Sequence, residues 1–143
     1  MKPSETAVSS PELEPGQLAA ILARKATEDA VALREFEGNT NVADSILGFH
    51  AQQTIEKWLK AVLADRGVDF EYTHDLRRLI ELVEELGITF PFVTGEIVMY
   101  TDFAVPLRYE DLLDAEPLDR RAAVALINEV EAWARGLLDQ KDR

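Results

Sequence analysis

Apolar residues recur every three or four positions over most of this 143-residue chain, and glycines stand where several of the runs stop. That spacing belongs to α-helices, because a half-buried strand would alternate with a period of two. The clearest run covers residues 42–66. Ile46, Leu47, Ala51, Ile55, Trp58, Leu59, Val62 and Leu63 form its apolar stripe, and Gly67 follows as a C-terminal stop. Gly48 lies inside the run and costs roughly 1 kcal/mol relative to Ala. Close approach of a neighbouring helix would offset that cost.

Four further segments share the pattern. Residues 17–37 carry Leu18, Ile21, Leu22, Ala26, Ala30, Leu33 and Phe36, with Gly38 as the stop and Asn39 or Asn41 placed to cap the next helix. Residues 73–86 carry Leu76, Leu79, Ile80, Val83 and Leu86, with Thr73 as the N-cap and Gly87 as the stop. A shorter helix is expected over 94–103, bounded by Pro106. The last, over 117–139, begins at Pro117, a residue suited to a first helical position. The apolar run around Pro91 is too short and too Pro-interrupted for a strand and reads as a linker. The expectation is an all-α, up-and-down bundle of four to five helices with antiparallel neighbours. Residues 1–15 are rich in Pro, Ser and Glu without periodicity, so they read as a disordered tail before one domain over 16–140.

Composition removes several kinds of chemistry. The chain has no Cys and two His, so thiol catalysis, iron–sulfur clusters and Cys- or multi-His metal sites are excluded. The acidic run Glu110, Asp111, Asp114, Glu116 and Asp119 lacks the spacing and turn Gly of a calcium loop, so no metal is expected. A net charge of −12 argues against coating nucleic acid by bulk electrostatics, which disfavours RNA as a partner. No apolar signal-peptide core opens the chain and no run reaches eighteen apolar residues, so a cytoplasmic protein without a membrane span is expected.

Three places carry candidate chemistry. His50, Gln53, Lys57 and Lys60 follow one another by three, four and three residues and share a polar stripe. It is either a solvated face or a surface for a ligand or partner, with Gln53 and Lys57 as donors. Tyr72-Thr73-His74-Asp75 opens the third helix. Capping accounts for Thr73 and for Asp75 near the positive helix end. His74 either pairs with a neighbouring carboxylate or carbonyl, or serves catalysis or a ligand. Arg108 next to Tyr109 couples a planar fork of donors to an aromatic ring, which suits a phosphate, a nucleobase or a carboxylate.

Phe49 to Gly67, FHAQQTIEKWLKAVLADRG, followed by THDLRRLIELV from Thr73 to Val83, resembles the HEPN family, the higher eukaryotes and prokaryotes nucleotide-binding domain. Nearly every position of F-x-A-Q-Q-x-x-E-K-x-L-K-A and of T-H-D-L matches. Tyr100 with Leu107-Arg108-Tyr109 resembles the family's Arg-Tyr segment before the last helix, with Glu110 where a Pro often stands. The resemblance spans about residues 17–139.

The resemblance implies a helical bundle that commonly dimerises and often works beside a minimal nucleotidyltransferase in a toxin–antitoxin-like pair. It also implies metal-independent ribonuclease activity in members that carry an Arg followed, after four to six intervening residues, by a His near the last helix. Here no His follows Arg108, so that pair is missing and enzyme activity is not expected. The implied site is Gln53, Lys57, His74, Asp75, Arg108 and Tyr109, with Arg108 on a phosphate, Tyr109 on a base and His74 orienting its neighbours. No cofactor is implied beyond a nucleotide as ligand. The preferred reading is a homodimeric binding and interaction module. The alternative is a divergent ribonuclease, for which Arg108 and His74 are the catalytic candidates.

Overall fold

The computed structural model describes residues 13–70, 72–104 and 117–140, and all regular structure among them is helical. Helix α1 spans Pro15–Phe36, α2 Asp44–Asp65, α3 Leu76–Glu85 and α4 Thr94–Val98. A 3₁₀ turn over Met99–Ala104 extends α4, and α5 spans Arg120–Asp139. The chain is the expected all-α bundle. Residues 1–12 of the expected tail lie outside the described residues, and α1 already begins at Pro15, where Gln17 Oε1 accepts the N–H of Glu14.

Helix ends depart from the sequence expectations in instructive ways. Gly67 (φ 70°) and Gly87 (φ 81°) take the left-handed conformation that closes α2 and α3, whereas Gly38 does not. Asn39 and Asn41 do not cap α2. Its N-cap is Ala43, and Asn39 Oδ1 instead accepts the N–H of Asn41 inside the loop. Nor is Thr73 the cap of α3. Asp75 is, accepting from the Arg77 N–H, while Thr73 Oγ1 accepts the Asp75 N–H one step earlier. At α5, Asp119 accepts from the Ala122 N–H, so Pro117 precedes the helix rather than opening it.

Helix α2 is the axis of the bundle. Leu47, Ala51, Ile55, Trp58, Leu59, Ala61, Val62 and Leu63 are all fully buried, so its apolar face is much broader than a single stripe. Helices α1, α3 and α5 and the 3₁₀ turn all pack on it. α1 runs antiparallel to α2: Phe36 meets His50 near the loop, and Asp29 meets Lys57 further down. α5 runs parallel to α2, pairing Arg120 with Asp44 at one end and Arg135 with Trp58 at the other. The two are therefore not the antiparallel neighbours that short links imply. α3 and α4 intervene in the chain and reverse its direction before α5.

Two contacts set this arrangement. Arg120, the first residue of α5, donates to Asp44 Oδ1 (2.9 Å) and to the carbonyls of Phe36, Asn39 and Val42. One guanidinium thus closes the α1–α2 loop and occupies carbonyls at the end of α1 that have no helical partner. The linker around Pro91 is pinned in turn. Phe90 and Phe92 meet the Trp133 ring edge-to-face, and Trp133 Nε1 donates to the Thr89 carbonyl (3.2 Å).

Gly48 explains itself through Phe103. A Cβ on Gly48 would sit 2.0 Å from the ring, so the 3₁₀ turn lies directly on the helix backbone. Gly48→Ala should therefore destabilise the fold by about 1–3 kcal/mol in urea unfolding, despite Ala's better helix propensity. Adding Phe103→Ala should recover part of the cost of the Gly48 change. A single variant as stable as the parent would contradict this packing.

Candidate functional site

The polar residues of α2 do not form one solvated stripe. They divide between two networks, because α1 covers one flank of the helix and the 66–75 connection covers the other. On the α1 flank, Asp29 Oδ1 pairs with His50 Nδ1 (2.9 Å), and Asp29 Oδ2 accepts from Lys57 Nζ. Phe36 and Phe49 pack tilted and edge-on against the His50 ring at centroid distances of 6.0 and 5.6 Å. Burial works to raise the Asp29 carboxyl, but the hydrogen bonds from His50 and Lys57 and their charges outweigh it and hold the group below its ordinary value.

On the other flank lies Glu56, almost completely buried. Three donors converge on its carboxylate. Gln52 Nε2 (2.6 Å) and His74 Nδ1 (2.9 Å) reach Oε1, and Lys60 Nζ (2.8 Å) reaches Oε2. Gln52 is itself fully buried, and its Oε1 accepts from Gln53 Nε2 (2.7 Å). Gln52, Glu56 and Lys60 stand four residues apart, so they stack along one helix face. The result is a continuous chain, Gln53–Gln52–Glu56–His74, that starts at a half-buried amide, runs through two buried side chains and ends at an imidazole whose side chain is 63% exposed.

A groove of about 510 Å³ opens beside this cluster, lined by Leu18, Leu22, Lys60, Val68, Phe70 and Tyr72 among others. Lys60 Nζ stands 5.5 Å from the Phe70 ring centroid at its edge. Tyr72 is fully exposed.

The structure therefore links Gln53 and His74 through buried intermediates, while Lys57 turns away to Asp29. The Asp75 carboxylate is spent on capping α3. Arg108 and Tyr109 lie outside the described residues, as does the acidic run from Glu110 to Glu116. The described ends of that segment are both held at the start of α2, Phe103 on Gly48 and Leu118 N–H on Asp44 Oδ2 (3.0 Å). Among the described residues no group of three or more His, Asp or Glu could hold a metal ion, and no helix is long and apolar enough to cross a membrane.

Sequence reasoning passed over Gln52, Glu56 and Asp29. For the first two a signal existed. Both belong to the A-Q-Q-x-x-E-K string, but an apolar-stripe reading assigns such positions to solvent. Asp29 had none, since its partners stand twenty-one and twenty-eight residues away on another helix.

The same string carries a family. A family model for the HEPN domain matches residues 19–137. The chain belongs to the HEPN domain family. No curated protein and no solved structure matches it. Within this HEPN domain the matched span includes both networks and the Arg108-Tyr109 segment.

Asp29 makes the acid response testable. A carboxyl depressed in the folded state contributes stability that is fully present above its unfolded value of about 3.9 and disappears as pH falls through the lower folded value. The gap in urea midpoint between the parent and Asp29→Asn should therefore be full at pH 5.5 and shrink below about pH 4. A gap independent of pH would contradict the paired state of Asp29.

Proposed function

We propose that this HEPN domain is a binding and interaction module that takes a nucleotide or another phosphate-bearing ligand at the surface around His74. The observation that carries this reading is the buried chain from Gln53 to His74. Burying a carboxylate costs several kcal/mol unless donors surround it, and here the donors deliver an oriented imidazole to the surface. Bundle stability alone would be served as well by an apolar residue at position 56. Gln53 flanks the cluster, Lys57 stays with Asp29 on the other side of α2, Arg108 supplies the fork for a phosphate, Tyr109 packs on a base, and Asp75 fixes the start of α3 beside the ring.

In the wider reading the domain acts as a homodimer beside a minimal nucleotidyltransferase in a toxin–antitoxin-like pair, in the cytoplasm. Family membership supports this context. The arrangement of Arg108 without a following His supports binding over catalysis.

One observation favours the alternative, a divergent metal-independent ribonuclease. His74 is held by a carboxylate through one nitrogen and is otherwise exposed, which is how a general base is commonly presented. Calorimetric titration with ATP, followed by incubation of the same protein with RNA in EDTA, separates the two. The binding reading predicts heat that Arg108→Ala and His74→Ala each abolish, with the RNA intact. RNA cleavage that disappears in Arg108→Ala would establish the ribonuclease instead, and neither heat nor cleavage would overturn both.

A further inference from the structure

The geometry points to Glu56 as a positioning residue that locks His74 in one tautomer, with the proton on Nδ1 and the lone pair of Nε2 offered to a hydroxyl donor such as a ligand's ribose. The argument starts from Glu56. Its carboxylate is paired with the Lys60 ammonium and accepts from the Gln52 amide, so it has no proton to give. A ring nitrogen 2.9 Å from Oε1 must then be the donor. A neutral imidazole carries one proton, and if Nδ1 holds it, Nε2 is an acceptor.

The carboxylate cannot swing away to release the ring. It is nearly sealed from solvent, Gln52 and Lys60 hold it from its own helix, and Gln53 holds Gln52. The backbone beside the ring is fixed as well. The His74 carbonyl lies 3.5 Å from Gln52 Nε2, and the next residue caps α3. Among the described residues Nε2 has no partner, and the side chain is mostly exposed.

The surroundings then select the ligand group. An Nε2 lone pair repels a phosphate oxygen, and the Lys60 ammonium that could offset this is held on the far oxygen of Glu56. A hydroxyl donates instead, so His74 meets the sugar of a nucleotide rather than its phosphates. This ligand assignment rests on the nucleotide reading given above, whereas the tautomer rests on the ring and its carboxylate alone.

Long-range ¹H–¹⁵N correlation spectra of the full chain, recorded at about pH 8.5 where an ordinary imidazole is neutral, read the tautomer directly. The His74 signals are identified by their loss in His74→Gln. The parent should show the Nδ1–H form, and Glu56→Ala should revert to the Nε2–H form that an unrestrained imidazole favours. An Nε2–H ring in the parent overturns the assignment whether or not the variant folds. In a second arm, titration of the parent with AMP and with 2′,3′-dideoxy-AMP should show at least about tenfold weaker binding of the dideoxy compound, a difference that His74→Gln erases. Equal binding of the two overturns the hydroxyl contact. No binding of either, with an Nδ1–H ring, overturns the nucleotide reading and the hydroxyl contact with it, and upholds Glu56 as the residue that sets the tautomer.

Discussion

A carboxylate buried in the middle of α2 sets the terms for everything packed against that side of the bundle. Glu56 lies where a Leu would satisfy the helix pattern, and it is tolerated only because three donors reach it. Two of them come from one turn before and one turn after on the same helix. The third is His74, which arrives from the connection after α2. That connection must therefore cross the helix at the height of Glu56. Asp75 is then placed to cap α3, and the Leu76 N–H comes within 3.4 Å of Thr101 Oγ1 on the 3₁₀ turn. The same turn brings Phe103 onto Gly48. One buried charge is in this way connected, through the connection that carries His74, to α3 and the 3₁₀ turn.

The opposite flank of α2 follows the same logic with less burial. Asp29 on α1 gathers His50 and Lys57, so the α1–α2 pair is registered by charge as well as by Ala26, Ala30 and Leu33. Arg120 then ties the end of that pair to the start of α5. The central helix is apolar enough to sit inside the bundle, and its polar residues are matched partly along the helix itself, as in Gln52–Glu56–Lys60, and partly from α1, α5 and the connection that carries His74. This matching gives the domain a defined register, and it also leaves one polar group, the His74 imidazole, at the surface in a fixed orientation.

Most of the fold was legible in the sequence because its main signal, apolar spacing at three and four residues, is local. All five expected helices are present, and the cost of Gly48 pointed to a close neighbour before Phe103 was seen there. Ends were less legible. Asn39, Asn41 and Thr73 are good capping residues by type, yet Ala43 and Asp75 hold those positions, since the surrounding turns had already claimed the better side chains. The parallel course of α2 and α5 was illegible because it depends on how α3 and α4 reverse the chain. For the site, His74 and Gln53 could be singled out from the sequence, but Gln52 and Glu56, the two residues that join them in the structure, could not. A buried Glu looks the same in sequence as an exposed one, and only its three donors reveal it.

The central claim, that Glu56 is a buried charge compensated by its neighbours, is tested most directly by a double-mutant cycle on Glu56 and Lys60 read by urea unfolding. Lys60→Met alone leaves the carboxylate short of its counter-charge and should cost about 3 kcal/mol or more. Glu56→Leu together with Lys60→Met removes both charges and should be more stable than Lys60→Met alone. Costs that simply add, with the double variant the least stable of the set, would contradict the account.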